Sequence, residues 1–340
     1  MARKLILKVI DLESGKLEND VLKNSIIDKI KLKNKEIKIG SKVGEDCAVI
    51  ELGDHSIILT TDPITGSVND VGKLSINITS NDIASAGYRT KGVLLTILVP
   101  EGTAVEEIER IFDDALKQAE VLGIDIIGGH TEITAAVNRV VVSATAISYG
   151  KGNDYVTTSG AKLGDRIVIS KSPGLEGTGI IASDKRDELK SVLSEEELSE
   201  GISLLDFTSV VEEGVIGRLE GASSMHDATE GGLLGALWEV CEASSLGCRI
   251  FMDKINILDV TKKISDHYGI DPLKLISSGV MIFTISPDKV DNLLNSLKKI
   301  NVPSYDIGEI IEGDIKYLNI SGKDCEIEPP ERDELYKVVF

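Results

Sequence analysis

The chain is predicted to fold as α/β or α+β in two domains, and three observations predict it. Apolar runs of strand length alternate with stretches of helical spacing in both halves. At 340 residues the chain is long enough for about two domains. The segment Gly150-Lys151-Gly152-Asn153-Asp154 reads as a linker, dividing the chain into 1–150 and 151–340. A hydrophobic fraction of 42% is ordinary for globular proteins, so each half can bury a core without metal or disulfide staples. Aromatics are only 4%, so those cores must be aliphatic.

Residues 1–40 are lysine-rich and weakly patterned, with a short strand expected at Leu5–Ile10 and a helix over Asp20–Leu32. Cys47–Leu52 and Ser56–Thr60, separated by Gly53-Asp54, read as strand–turn–strand. The clearest helix is Thr103–Leu122. Thr103 and Glu106 form a T-x-x-E capping pattern, Val105, Ile108, Ile111, Phe112, Ala115, Leu116 and Ala119 recur at helical spacing, and Gly123 supplies the stop. A strand at Ile124–Ile127 runs directly into Gly128-Gly129-His130-Thr131, and another follows at Arg139–Ile147. Beyond the linker, strands are expected at Asp165–Ser170, Cys248–Met252 and Gly279–Ile285. Helices are expected over Ser194–Leu219 (one or two), Glu230–Ser244, Asp259–Tyr268 and Pro287–Lys299.

The net charge of −19 argues against a nucleic-acid partner, which needs clustered lysine and arginine. Anionic ligands must then be handled locally, by metal ions or backbone N–H groups. Cys47, Cys241, Cys248 and Cys325 show no C-x-x-C spacing, so neither a zinc ribbon nor a thioredoxin-like motif is expected. The opening Met1–Lys8 lacks a sustained apolar run, which argues against a signal peptide, and no apolar run approaches a transmembrane span. A reducing cytoplasm is the expected location, without a membrane partner.

Four acidic residues sit where strands and turns meet: Asp46 after Gly44-Glu45, Asp62 before Pro63, Asp82 in Asn81-Asp82-Ile83-Ala84-Ser85-Ala86-Gly87, and Asp227 in His226-Asp227-Ala228-Thr229-Glu230-Gly231-Gly232. Singly, each has a plain reading as a turn residue or helix cap. Together they would repel by roughly 4 kcal/mol per pair at ~4 Å with an effective dielectric of ~20. Such a cluster needs a cation, and all-oxygen ligands favour Mg²⁺ or Ca²⁺ over zinc. Spacing alone does not bring the four together.

These blocks, with Val43–Val49, Thr61–Gly66 and Gly128-Gly129-His130-Thr131-Glu132, stand in an order that resembles the AIR synthetase-like (PurM-like) superfamily from about residue 40 onward. Its members include AIR synthetase, selenophosphate synthetase, thiamine-phosphate kinase and HypE, a hydrogenase-maturation family whose branch the chain most resembles. The resemblance implies an N-terminal sheet-plus-helix domain that forms a barrel across a homodimer, and a C-terminal α/β domain. It implies ATP and Mg²⁺ as cofactors. Asp46, Asp62, Asp82 and Asp227 would hold the metal, and Asn81, Gly128, Gly129, His130, Thr131 and Gly177 would join Asp46, Asp82 and Asp227 in holding nucleotide. The implied chemistry is γ-phosphoryl transfer to an amide or carboxylate oxygen of a small or protein-tethered substrate, with a maturation protein as a further partner.

Three features bear on that reading. Ser172–Gly179 is a glycine-rich stretch matching neither G-x-G-x-x-G nor the P-loop; it reads equally as a turn into a helix. His55 and His267 read as surface residues, whereas His130 and His226 lie inside the family blocks. The sequence also departs from HypE proteins, which end in a cysteine tail: Val339 stands at the corresponding place, Ser278 stands where a glutamate usually precedes Gly279, and Glu132 replaces a common lysine. The expected function is therefore that of a HypE-like paralogue with a different acceptor. The alternatives are a non-catalytic, nucleotide-gated accessory protein and, more remotely, a dinucleotide-dependent oxidoreductase.

Overall fold

The computed structural model describes residues 15–64, 70–329 and 332–339. The expected strand at Leu5–Ile10, the Met1–Lys8 opening, and Thr65 and Gly66 of the Thr61–Gly66 block lie outside them. The described residues form two sheets with helices packed between and around them.

The first sheet comprises β1 (Ile37–Ile39), β2 (Ala48–Leu52), β3 (His55–Ile64), β4 (Gly92–Val99), β5 (Asp125–Ile133) and β6 (Val141–Lys151), in the order β1-β2-β3-β6-β4-β5. Only the β4–β5 pair is parallel. β6 alternates, burying Val142, Ala144 and Ala146 on one face. α2 (Val71–Ser85) and α3 (Val105–Leu122) supply Leu74, Ile76, Ile83, Ile111 and Ala115 to the same core. Ahead of this sheet, the helix expected over Asp20–Leu32 is only α1 (Asn19–Ser25), followed by a single 3₁₀ turn and burying nothing. Without a buried face, a longer helix has little to hold it.

α2 corrects the sequence reading, which placed Asp82 where a strand meets a turn. The helix is buried nearly all round, so it shows no apolar stripe. Several of its polar side chains are bonded within the helix or to the second half. Thr79 donates to the Ser75 carbonyl, and Asn77 reaches the Thr208 hydroxyl. The capping pattern at Thr103 is also corrected. α3 starts at Val105 with Ala104 as its cap, and the Thr103 hydroxyl turns back to the Pro100 carbonyl at 2.8 Å. Gly123 closes the helix in the left-handed conformation as expected.

The second sheet comprises β7 (Arg166–Ser170), β8 (Ser224–Ala228), β9 (Gly247–Phe251), β10 (Val280–Ile285), β11 (Ser304–Ile311), β12 (Lys316–Ile320) and β13 (Lys323–Glu326), ordered β13-β12-β9-β11-β7-β10-β8. β8 and β10 are buried at every residue because helices cover both faces. On one side lies α8 (Gly232–Ser244), with Leu233 and Leu237. On the other lie α7 (Val211–Glu220) and α10 (Val290–Lys299), with Val211, Leu293 and Leu297. A further cluster joins α4 (Leu175–Asp184), α5 (Arg186–Leu189), α6 (Glu195–Ser203) and α9 (Asp259–Tyr268) to Leu335, just before α11 (Tyr336–Val339).

α7 closes the joint between the halves. A Cβ at Gly214 would stand 2.1 Å from the Ala84 carbonyl oxygen of α2, so only glycine permits this approach. The side chain of Asn81 ties the same joint, donating to the Thr208 carbonyl and accepting from Val210 N–H. The last turn of α2 is thereby held against β8, where Asp227 sits.

Candidate functional site

Asp62 projects from β3, Asp82 from the last turn of α2 and Asp227 from β8; Asp46 lies in the loop before β2. All four line one cleft of about 500 Å³ between the two halves. The loop bearing Asp46 is drawn in at Gly44, whose φ of +79° and close approach to the Glu239 carbonyl require glycine. Glu45 anchors the other side by accepting from the N–H groups of Thr158 and Ser159 at 3.2 Å.

Three of the four aspartates have a polar neighbour in place. Asp82 accepts from the Thr60 hydroxyl at 2.5 Å, and Asp227 Oδ1 accepts from Ser85 at 3.2 Å. Asp46 Oδ2 meets His226 Nδ1 at 2.8 Å, and His226 Nε2 meets Glu239 Oε2 at 3.0 Å. Burial alone would keep His226 neutral. The carboxylates on its two nitrogens outweigh that and hold its pKa well above the usual histidine value. Burial also favours protonation of Glu239, yet Lys16 and His226 bring it down to about 2. Lys16 reaches Glu239 at 3.8 Å, and its backbone N–H donates to Glu230 at 2.9 Å.

The aspartates themselves are pushed the other way. Burial, then Asp62, Asp227 and Asp46, raises Asp82 well above the carboxylate range. Burial and Asp46 raise Asp227 to about 7. Asp227 Oδ2 is buried with no hydrogen-bond partner. Carboxylates that must keep protons when alone, with one oxygen unpaired, fit a divalent cation. Ligand atoms of Asp46, His226 and Asp227 lie within 4.8 Å of one another. Both His226 nitrogens already face carboxylates, so the donor set toward a cation is oxygen, which fits Mg²⁺ better than zinc.

Other expected site residues lie elsewhere. Asn81 is fully buried at the α2–α7 joint and does not line the cleft. Gly177 sits inside α4, where a Cβ would meet Leu275 at 2.4 Å; the glycine-rich stretch is a turn at Gly174 leading into a packed helix. Gly128, Gly129, His130 and Thr131 belong to β5, an exposed edge strand outside the cleft, and His130 pairs with Glu132 at 3.4 Å. Gly129 is needed there because a Cβ would strike the Leu95 carbonyl at 1.9 Å.

Lys16, Glu176, Glu239 and the segment Asp333–Tyr336 escaped the sequence reading. Glu239 carried one signal, a lone acid within the apolar run Leu233–Cys241. Glu176 carried a similar one in Leu175–Ile181. Ser278 lies against Glu176. Asp333 accepts from the N–H groups of Gly231, Ile276 and Leu335, and Tyr336 donates to Glu230 at 2.8 Å, which seats the C-terminal segment along the cleft.

Residues 44–149 match the N-terminal domain, and residues 162–320 the C-terminal domain, of the AIR synthase related proteins. A candidate hydrogenase expression/formation protein of Methanocaldococcus jannaschii is 28% identical over 293 residues, 84% of each chain. The carbamoyl dehydratase HypE of Bradyrhizobium diazoefficiens is 24% identical over 82% of this chain and 81% of its own. Among solved structures, the hydrogenase maturation protein HypE in complex with ATP superposes with a TM-score of 0.70 at 19% identity, over 94% of this chain and 99% of that one. No helix among the described residues is long and apolar enough to cross a membrane.

Proposed function

For a chain that belongs to the AIR synthase related family, we propose an ATP- and Mg²⁺-dependent enzyme that moves the γ-phosphoryl group onto an amide or carboxylate oxygen, in the service of hydrogenase or related metallocentre maturation. One observation carries the reading: four aspartates from four separate segments converge on one cleft, and the two most buried are forced to keep protons there. The HypE relatives and the ATP-bound HypE structure support ATP as the ligand.

Asp46, Asp62, Asp82 and Asp227 would hold Mg²⁺, which neutralises phosphate charge during transfer. The chain's own residues do the positioning. His226, clamped by Glu239, fixes the rotamer of Asp46. Thr60 and Ser85 do the same for Asp82 and Asp227. Asp333, Leu335 and Tyr336 line the cleft from the C-terminal side, where Tyr336 donates to Glu230.

Calorimetric titration of ATP with and without Mg²⁺, on wild type and Asp82→Asn, tests this. Binding that needs Mg²⁺ and is lost in the variant is expected. No binding to wild type would refute the reading, and tight binding without ADP formation would favour a nucleotide-gated accessory protein instead.

A further inference from the structure

The lysine-rich stretch ahead of Asp46 takes no part in lining the cleft. From Lys23 to Lys42 seven lysines stand against two acids, Asp28 and Glu36, a surplus of five positive charges in a chain of net −19. Lys23 pairs with Asp28 at 3.1 Å and Lys38 with Glu51 at 3.6 Å. Lys29, Lys31, Lys33, Lys35 and Lys42 are exposed, and none has an ion-pair partner among the described residues. Cations elsewhere on the surface do find acids, as Lys73 does at Asp206, Arg186 at Glu195 and Lys190 at Asp187. Solubility does not account for the run, because added lysines bring so acidic a chain nearer to zero charge.

Apolar side chains are interleaved with these lysines: Ile26, Ile30 and Leu32 are 49%, 47% and 52% exposed. The backbone of the same stretch is open as well. Ile30 is extended, with φ −76° and ψ 123°. Lys31, Leu32 and Lys33 follow without a backbone hydrogen bond to any described residue. Exposed N–H and C=O groups left unpaired along an extended stretch can take an extended peptide alongside. The stretch is also held in place. Leu32 folds back on Gly40, where a Cβ would meet its Cδ1 at 2.7 Å, so the lysines lie against the loop that leads to Asp46.

We propose that residues 26–42 form a docking surface for a partner protein, and that its occupant is an extended acidic segment in which Asp or Glu alternates with apolar residues. The partner's carboxylates meet the unpaired ammonium groups, its apolar side chains cover Ile30 and Leu32, and its backbone pairs with residues 31–33. Charges are screened beyond about 8 Å at physiological salt, so a short acidic segment feels the lysines and little of the chain's remaining negative charge. A nucleic acid would run past the patch and meet that negative surface directly. A lipid surface needs a longer amphipathic face than α1, a helix of seven residues, and three apolar side chains provide.

Fluorescence anisotropy on the full chain, with a labelled decapeptide of alternating Glu and Val, tests this. Saturable binding is expected, weakening at least about tenfold when NaCl is raised from about 50 to 300 mM. The matching Glu-Ser peptide should bind several-fold more weakly, having no apolar side chains to cover Ile30 and Leu32. A Lys-Val peptide, a labelled oligothymidylate and vesicles of phosphatidylserine and phosphatidylcholine should not bind. Lys29→Gln, Lys31→Gln, Lys33→Gln and Lys35→Gln combined should weaken the Glu-Val peptide about tenfold or more by removing four of the five unpaired charges. The melting temperature should stay within about 2 °C, since the four side chains are exposed and unpaired. No binding of the Glu-Val peptide, affinity unchanged in the combined variant, or equal binding of the Glu-Ser or Lys-Val peptide would overturn the assignment. So would tighter binding of the oligothymidylate or the vesicles, which would make the patch a nucleic-acid or lipid surface instead.

Discussion

At the scale of single residues, the site is governed by where protons reside before a cation arrives. Asp82 and Asp227 hold protons in the folded chain that an unfolded aspartate gives up near ~3.9. Folding therefore takes up protons above about pH 4, for Asp227 up to about 7, and stability from this source falls as pH rises through each raised value. His226 adds the same sign: its contribution is full below its usual ~6.5 and is lost as pH climbs through its raised value. Glu239 acts only in acid, losing its contribution as pH falls from its ordinary value toward about 2. The metal-free protein should thus melt at lower temperature at pH 8 than at pH 5, with Mg-ATP flattening the slope. A scanning-fluorimetry series showing the opposite trend would contradict the shared-proton picture. His226→Gln should cost up to about 3–5 kcal/mol in urea unfolding, because it removes the buried charge between Asp46 and Glu239 and leaves Glu239 only the more distant Lys16. The motifs spelled out the aspartates in the sequence. Glu239, Lys16 and Glu176 were not legible, because each takes its meaning from partners brought close only by folding.

At the scale of elements, the joint between α2 and α7 decides whether the four aspartates meet. Gly214→Ala would drive a methyl group into the Ala84 carbonyl, and α7 can make room only by moving off α2. A loss of about 1–3 kcal/mol is expected, as for overpacked cores. Mg-ATP affinity should fall with it, since Asp82 sits on α2, which this joint holds against β8 and its Asp227. An unchanged unfolding midpoint and affinity would show the joint to be slack. What was legible here followed burial geometry. α3, α9 and α10 bury one stripe and expose the rest, so Ile111, Ala115 and Ala119, or Leu293 and Leu297, announced their helices. α2 buries Asn77, Thr79, Asn81 and Asp82 beside Ile76 and Ile83, which erases the period of 3.6. β8 was missed for a related reason: Ser224–Ala228 carries a histidine and an aspartate inside a strand covered on both faces.

At the scale of the whole molecule, the first sheet is open in the single chain, with β5 at its edge beside β4. That edge mixes polar side chains (Asp125, His130, Glu132) with large apolar ones that an edge facing water seldom exposes. Ile127 is 57% exposed and Ile133 61%, with Leu116 of the neighbouring α3 at 48%. The family resemblance expects this sheet to complete a barrel against a second copy, and a two-fold interface at β5 would cover these side chains. It would also bring Gly128-Gly129-His130-Thr131, which the family resemblance expects to hold nucleotide, to the interface. Light scattering at micromolar concentration should therefore find a dimer. Ile133→Lys should give a folded monomer, because it places a charge on the covered face without touching a buried residue. If Gly128–Thr131 serves the partner's cleft, Mg-ATP affinity should weaken in that monomer while the melting profile stays cooperative. A wild-type monomer, or an Ile133→Lys dimer of unchanged affinity, would put the nucleotide site wholly within one chain and leave the β5 block a structural element.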